Sequence, residues 1–451
     1  MSVAVPTQLG TEKISKLLKQ YAIPGIIAMT ASSLYNMVDS IFIGHGVGTF
    51  AIAGLALTFP LMNLGAAFGS LVGLGGATIL SVLLGQKNYA IAQKVLGNVV
   101  SLNLIIGFLY ALIMLVFLEP ILYFFGASEV TLPYAKEYME VILYGNIITH
   151  MYFGLNGMQR SAGFPKKAMM ATIFTVVINT ILDPLFIYVF DMGIRGAAVA
   201  TILSQLLSLL WIIYHFSNKG QVIHFKRGIY KVEKRIFNDI MGVGMSPFLM
   251  NAAACGVIMI INNGLKEYGG DLSIAAYGII NRVAFIFLMI VMGLNQGLQP
   301  IAGYNYGAKN MDRVWKALRL TIFCGMSITT FGFLVGMLFP ATITKVFTTD
   351  QELIDITVHG MRLVFMMFPI IGFQMVVSNF FQSLGMAKIS IFLSLSRQLI
   401  ILLPLLILLP KFFGVTGVWV SLPIADGIAC IIAACILIYQ TKKLKNINYE
   451  A

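Results

Sequence analysis

Apolar residues run along almost the whole chain in stretches of 18 or more, broken about every 35 residues by short polar segments. Each stretch is long enough to cross roughly 30 Å of hydrocarbon as a helix. The period-2 alternation that a membrane barrel requires is absent. The pattern predicts spans over residues 20–44, 50–84, 95–118, 134–159, 168–190, 194–216, 238–265, 272–304, 317–342, 355–382, 389–410 and 415–440. The expected fold class is an all-α integral membrane protein with 12 transmembrane helices.

The polar breaks repeat at a constant spacing. Gly85-Gln86-Lys87-Asn88 recurs as Gly307-Ala308-Lys309-Asn310, and Ser161-Ala162-Gly163 with Lys166 recurs as Ser383-Leu384-Gly385 with Lys388. Ile52-Ala53 matches Ile274-Ala275 and Phe125 matches Phe347, all at one and the same offset in numbering. A further pair, Gly193 with Gly196 against Gly414 with Gly417, departs from that offset by a single deletion. Each half holds six predicted spans, an even number, so both halves enter the membrane in the same sense. The expectation is two parallel six-helix bundles related by a pseudo-two-fold axis along the membrane normal, as in parallel-repeat transporters. The lobes are residues 1–216 and 240–451, joined by a basic cytoplasmic linker over 217–239.

Composition strengthens this reading. Hydrophobic residues make up 58% of 451 positions and charged residues 11%, against roughly 25% charged in a soluble domain. The net charge of +12 invites a nucleic-acid partner, but its placement follows membrane topology instead. With the N-terminus inside, 22 of the 30 Lys and Arg fall on the cytoplasmic side, five outside and three within spans. That is the positive-inside asymmetry, and it puts both termini in the cytoplasm. The polar stretch Met1 to Lys19 precedes the first apolar run without a cleavable signal pattern. Cys255, Cys324, Cys430 and Cys435 lie in apolar segments without metal-ligand spacing and read as packing residues.

Charges inside spans are costly and point to function. The first half contributes Asp39 and Asp183, with Asn179 one turn before Asp183 on the same helix face and Thr201 in the next span. Counted from the span ends, these groups sit at a similar depth, roughly 8 to 11 Å below the outer surface. Two carboxylates, an amide and a hydroxyl offer hard oxygen ligands that could hold Na⁺. They could equally carry a proton, because desolvation and mutual repulsion disfavour the doubly charged pair. The bland alternative is a polar cluster that pins three helices together. Pro24 can kink the first span and act as a hinge for Asp39. His150 reads as a core histidine, and Gly65, Gly69 and Gly73 as a close-packing stripe. The second half carries Arg282, Arg362 and Arg397 near mid-span, with Asp426 as the clear acid partner. They either pair with it and with helix-end carbonyls, or receive an anionic group of a substrate.

Leu34-Tyr35-Asn36-Met37-Val38-Asp39, Asn179 to Phe186 and Gly193 to Thr201 resemble the first-, fifth- and sixth-helix motifs of the multidrug and toxic compound extrusion (MATE) transporters. The resemblance covers nearly the whole chain and includes the six-plus-six plan. It implies an antiporter of a bacterial-type inner membrane, exporting cationic amphipathic compounds by alternating access, driven by inward H⁺ or Na⁺ and needing no other cofactor. By the same resemblance Asp39, Asn179, Asp183 and Thr201 stand at the ion-coupling positions, and Tyr138 and Asn156 at cavity positions, to which Arg282 and Arg397 are added here. One family branch has acids in its seventh and tenth helices, but Asn251 to Asn263 and Phe365 to Phe381 contain none. That departure favours a site in the first lobe. Nothing requires more than a monomer in lipid.

The alternative within transport is a lipid or lipid-linked oligosaccharide flippase. Its phosphates call for basic residues in the cleft, and only the three second-half arginines offer them. An enzyme or receptor finds little support: no span holds a His-Glu metal motif, nucleophile elbow or phosphate loop.

Overall fold

In hydrocarbon every backbone N–H and C=O must be satisfied within the segment, so the apolar stretches form helices. A computed structural model describes residues 7–447, and the outermost residues of both lobes, 1–6 and 448–451, lie outside the described residues. The first half comprises α1 (Gln8–Thr11), α2 (Ile14–Gly46), α3 (Thr49–Gly85), α4 (Tyr89–Val116), α5 (Leu118–Phe124), α6 (Leu132–Tyr144), α7 (Asn146–Ser161), α8 (Pro165–Pro184) and α9 (Gly193–Phe216). The second comprises α10 (Lys234–Gly307), α11 (Met311–Leu338), α12 (Pro340–Phe347), α13 (Gln351–Phe365), α14 (Phe368–Ser383), α15 (Ala387–Leu395) and α16 (Leu403–Ile447). No strand occurs among the described residues.

Among the described residues seven helices are long and apolar enough to cross a membrane, and α13 with α14, bent by 49° at their junction, makes an eighth. Two wider π-type turns interrupt the α geometry, Leu185–Val189 directly after Pro184 and Ser396–Leu402 at Arg397. Proline has no N–H to return to the preceding turn, which accounts for the first. Large apolar side chains such as Phe323 on α11 and Ile431 on α16 are left uncovered, as lipid-facing positions are.

The backbone repeats with the sequence. Gly48 (φ 112°) separates α2 from α3, and its counterpart in the second half, Gly270 (φ 70°), is the non-helical break inside α10. Both have ψ near 180°, a region essentially reserved for glycine. Lys87 and Lys309 share a left-handed conformation (φ 59° and 57°), as do Gly193 and Gly414 (56° and 57°). Asn88 and Asn310 then begin α4 and α11 with matching backbone angles, and the Asn88 side chain accepts from Ile91 N–H.

Three buried apolar cores organise the helices. One unites residues of both halves, from Leu17, Leu84 and Leu155 to Leu298, Ala317 and Phe380. The second belongs to the second half alone, around Ile261, Phe365 and Trp419. The third belongs to the first half alone, around Ile43, Tyr138 and Ala197. The halves are thus fused at the end where α2 begins and α3 finishes, and have separate cores at the other.

Close backbone approach makes the fusion possible. A Cβ on Gly85 would fall 1.9 Å from Tyr304 O, and one on Gly307 2.0 Å from Val82 O. Val82 and Tyr304 are themselves equivalent positions of the repeat, so the contact is reciprocal. Higher up, Gly25 meets Gly293 O and Gly244 meets Leu71 O. The segment before α2 adds polar ties: Arg313 donates to Leu9 O and Glu12 O at 3.0 and 2.6 Å.

The linker expected over 217–239 is shorter, because Lys234 to Asp239 already belong to α10. Its remaining part is bound along α4. Ser101 donates to Tyr230 O, Asn98 bonds Lys231 O and Glu233 N–H, and Lys94 pairs with Glu233.

Candidate functional site

Four helices of the first lobe converge on one buried polar group. Helix α8 supplies Asn179 and Asp183 one turn apart, and Asn179 donates to Asp183 Oδ1 at 3.1 Å and to Thr201 Oγ1 of α9 at 3.4 Å. Helix α2 supplies Asp39, whose carboxyl reaches that of Asp183, and Tyr35, whose hydroxyl lies 2.8 Å from Thr201 Oγ1. Helix α6 supplies Tyr138, buried against the same carboxylates and turned towards Thr201. Asp39, Asn179, Asp183 and Thr201, four residues singled out from the sequence, are therefore brought together.

The arrangement has a definite chemistry. An ionised carboxylate only accepts hydrogen bonds, so two meeting carboxylates need a shared proton or a cation between them. No Lys, Arg or His pairs with either acid among the described residues. Asp39 Oδ1, Asp183 Oδ2 and Asn179 Oδ1 are buried and have no hydrogen-bond partner among the described residues. Three unused oxygens around one point suit a proton or a small hard cation, and buried groups of this kind do not stay unsatisfied without reason.

Tyr35 was missed in the sequence as a site residue. The signal was its spacing, since it precedes Asp39 by four residues as Asn179 precedes Asp183. Tyr138, expected in a substrate cavity, instead belongs to the acidic group.

The other expected cavity residues are not gathered in one place. Asn156 donates to Ala168 O at 2.9 Å and accepts from Arg160, so it ties α7 to α8. Arg397 donates to Asp426 Oδ1, which is the pairing alternative rather than a free cation. Arg282 is exposed on α10, and it forms no ion pair among the described residues. Pro24 lies inside α2, which remains a continuous helix of 33 residues through it. It sits beside Gly25, at the contact with Gly293.

The second lobe reuses the scaffold without the chemistry. The positions equivalent by the repeat to Tyr35, Asp39 and Asn179 are Val257, Ile261 and Ile401, all in the apolar core of that lobe. Tyr138 corresponds to Gly360, where an added Cβ would meet the ring of buried Trp419 at 3.2 Å. An indole from the neighbouring helix fills the room a tyrosine occupies in the first lobe.

Comparison with known proteins agrees with this picture. A family model described as MatE matches residues 24–185 and again 248–408. Multidrug export protein MepA of Staphylococcus haemolyticus (strain JCSC1435) is 28% identical over 429 residues, covering 95% of this chain and 94% of its own. MepA of Staphylococcus aureus (strain MSSA476) is 28% identical over 434 residues, covering 94% of each. Among solved structures, the MATE multidrug transporter DinF-BH in complex with rhodamine 6G is 35% identical over 96% of this chain and 97% of that one, with a TM-score of 0.88. A MOP superfamily transporter from Pyrococcus furiosus Vc1 (DSM3638) shares the fold at 24% identity and a TM-score of 0.92, covering 99% and 100%.

Proposed function

Because the chain belongs to the MATE family of transporters, we propose that it is an H⁺- or Na⁺-coupled antiporter that exports cationic amphipathic compounds. The observation that carries this reading is the pair Asp39–Asp183 with its unused oxygens, buried in one lobe and free of any basic partner among the described residues. Such a site exchanges one positive charge for another.

The helices are read as 12 spans, with Gly270 and Gly414 dividing α10 and α16, and α6–α7 and α13–α14 each forming one broken span. The reciprocal Gly85–Tyr304 and Gly307–Val82 contacts support a pseudo-two-fold axis along the membrane normal. The concentration of Lys and Arg near the fused end supports placing it, with both termini, in the cytoplasm. The lobes are then closed inside and separate outside.

In this state H⁺ or Na⁺ arriving from outside occupies Asp39 and Asp183 with the help of Asn179 and Thr201. The negative charge that retained the cationic substrate is cancelled, and substrate leaves outward. The lobes then rock about the fused end, with α2 held at Gly25 and Pro24. One charge moving inward across 100 mV supplies about 2.3 kcal/mol, roughly a fiftyfold gradient. A flippase reading loses Arg397, which Asp426 occupies.

Rhodamine 6G, the compound in complex with DinF-BH, is the natural first substrate. Proteoliposomes loaded with it and given separate H⁺ and Na⁺ gradients test the proposal. Gradient-driven export that Asp183→Asn abolishes is the expected result, and the effective gradient names the ion. Export insensitive to both gradients, or unaffected by the substitution, would overturn the coupling role.

A further inference from the structure

Where α8 begins and α9 ends, the chain encloses a cavity of about 420 Å³ lined by Lys167, Met170, Trp211, Tyr214, His215 and Gln221, among others. The cavity is apart from the acidic site, and its two sides differ in character. On one side Lys167 Nζ and Gln221 Nε2 both donate to His215 Nδ1, each at 3.2 Å. A histidine whose Nδ1 accepts is the neutral tautomer and adds no positive charge. Lys167 has two further N–H groups and no carboxylate partner among the described residues, and its ammonium stands 5.1 Å from the centre of the Phe164 ring. No Asp or Glu lines the cavity, while Lys166 and Lys219 are exposed beside it.

The other side is apolar and faces outward. Tyr214 is 77% exposed and Met170 50% exposed, with Trp211 half-buried between them. Tryptophan and tyrosine at the ends of spans mark the headgroup level of a bilayer. A ligand fitting both sides carries a negative charge at one end and hydrocarbon at the other. A soluble anion would use Lys167 but leave the aromatic side unexplained.

We propose that this cavity binds an anionic phospholipid, its phosphate on Lys167 and the amide of Gln221 and its acyl chains along Met170, Trp211 and Tyr214. The orientation given above places it in the cytoplasmic leaflet, whose anionic lipids attract basic pockets of this kind. The lipid bridges the ends of α8 and α9, the helices that carry Asn179 and Asp183 on one side and Thr201 on the other. Farther along, the same two helices are tied by Thr175 and Ser208, 2.6 Å apart. Bound lipid therefore stiffens the pair that positions the site.

The test uses the purified full-length protein in detergent, followed by its thermal unfolding midpoint. Dioleoylphosphatidylglycerol, dioleoylphosphatidylcholine and sodium phosphate are titrated separately. The expected result is a rise with phosphatidylglycerol alone, with a half-saturating concentration about fivefold higher in Lys167→Gln. Lys226→Gln, which removes an exposed linker charge outside the cavity, should respond as the wild type does. Tyr214→Ser tests the apolar side without disturbing buried packing, and should also weaken the response. Equal responses in Lys167→Gln and Lys226→Gln would reduce the effect to general surface charge and overturn the proposal. An equal rise with phosphatidylcholine, or a full rise with phosphate alone, would overturn it in favour of a neutral lipid or a soluble anion.

Discussion

The hydroxyl oxygens of Tyr35 and Thr201 lie 2.8 Å apart, joining α2 to α9 beside the acidic pair. The bond crosses between helices that must move relative to each other if α2 rearranges during transport. Removing it should cost about 1 kcal/mol of site organisation. Tyr35→Phe and Thr201→Val are each expected to slow ion-driven export several-fold with the fold intact. A double-mutant cycle checks the pairing: the double variant should be no slower than the worse single one.

A proton and a cationic substrate that share Asp39 and Asp183 must compete. Dye affinity should therefore fall as pH is lowered through the titration of the pair. Asp183→Asn keeps a neutral amide in place of one carboxyl. It should bind dye at least tenfold more weakly at neutral pH and show a flatter pH dependence. Fluorescence titration of the purified protein at several pH values measures both.

The fused end tolerates no side chain at its glycines. Gly85→Val places atoms inside van der Waals distance of the Tyr304 carbonyl and should hold the cytoplasmic side open. Spin labels at Lys16 and Lys309, introduced after replacement of the four native cysteines, should report longer distances. Gly278→Ala, at a helical position with nothing within 4 Å, should leave both distances and export unchanged.

Arg313 contributes differently to the same closure, through charge-assisted bonds to the carbonyls of Leu9 and Glu12. Such bonds are worth about 1.5–3 kcal/mol each. Arg313→Gln should shift the population towards the inward-open state by tenfold or more, read with the same labels. Arg313→Lys should recover only part of this, since an ammonium lacks the fork that spans both carbonyls.

Arg397 and Asp426 form a pair at the wide turn of the second lobe. Removing one partner strands the other, at a cost of about 3–5 kcal/mol. Asp426→Leu should therefore lower the unfolding temperature clearly, and Arg397→Met combined with it should restore most of the loss. If Arg397 instead served substrate, the double variant would be stable but unable to export.

The parts of this molecule that could be read from the sequence are those where a residue conflicts with its surroundings. Asp39 and Asp183 stand out because hydrocarbon penalises them, and Lys87 and Lys309 because the same turn must be made twice. Positions satisfied by backbone stay hidden. Nothing in the sequence says that Asn156 bonds the carbonyl of Ala168, so it looks like a cavity residue. Tyr35 and Tyr138 are two of 18 tyrosines, and only tertiary proximity singles them out. The break at Gly145 between α6 and α7 lacks a proline to announce it. The exchange of Tyr138 for Gly360 and Trp419 depends on volumes contributed by different helices, which no local pattern records.

The contacts Gly85–Tyr304 and Gly307–Val82 have the form of an isologous interface, in which one surface meets a copy of itself. A six-helix half carrying only the motif before Asn88 already possesses both sides of that junction. Two separate copies would dock in parallel without any further invention, and joining them through one linker would add proximity but no new geometry. Once fused, the copies are free to diverge away from the junction. One lobe can then keep paired carboxylates while the other fills the same space with Ile261 and Trp419. A mutation at the seam is not free in this way, because each partner is held by the mirror requirement of the other.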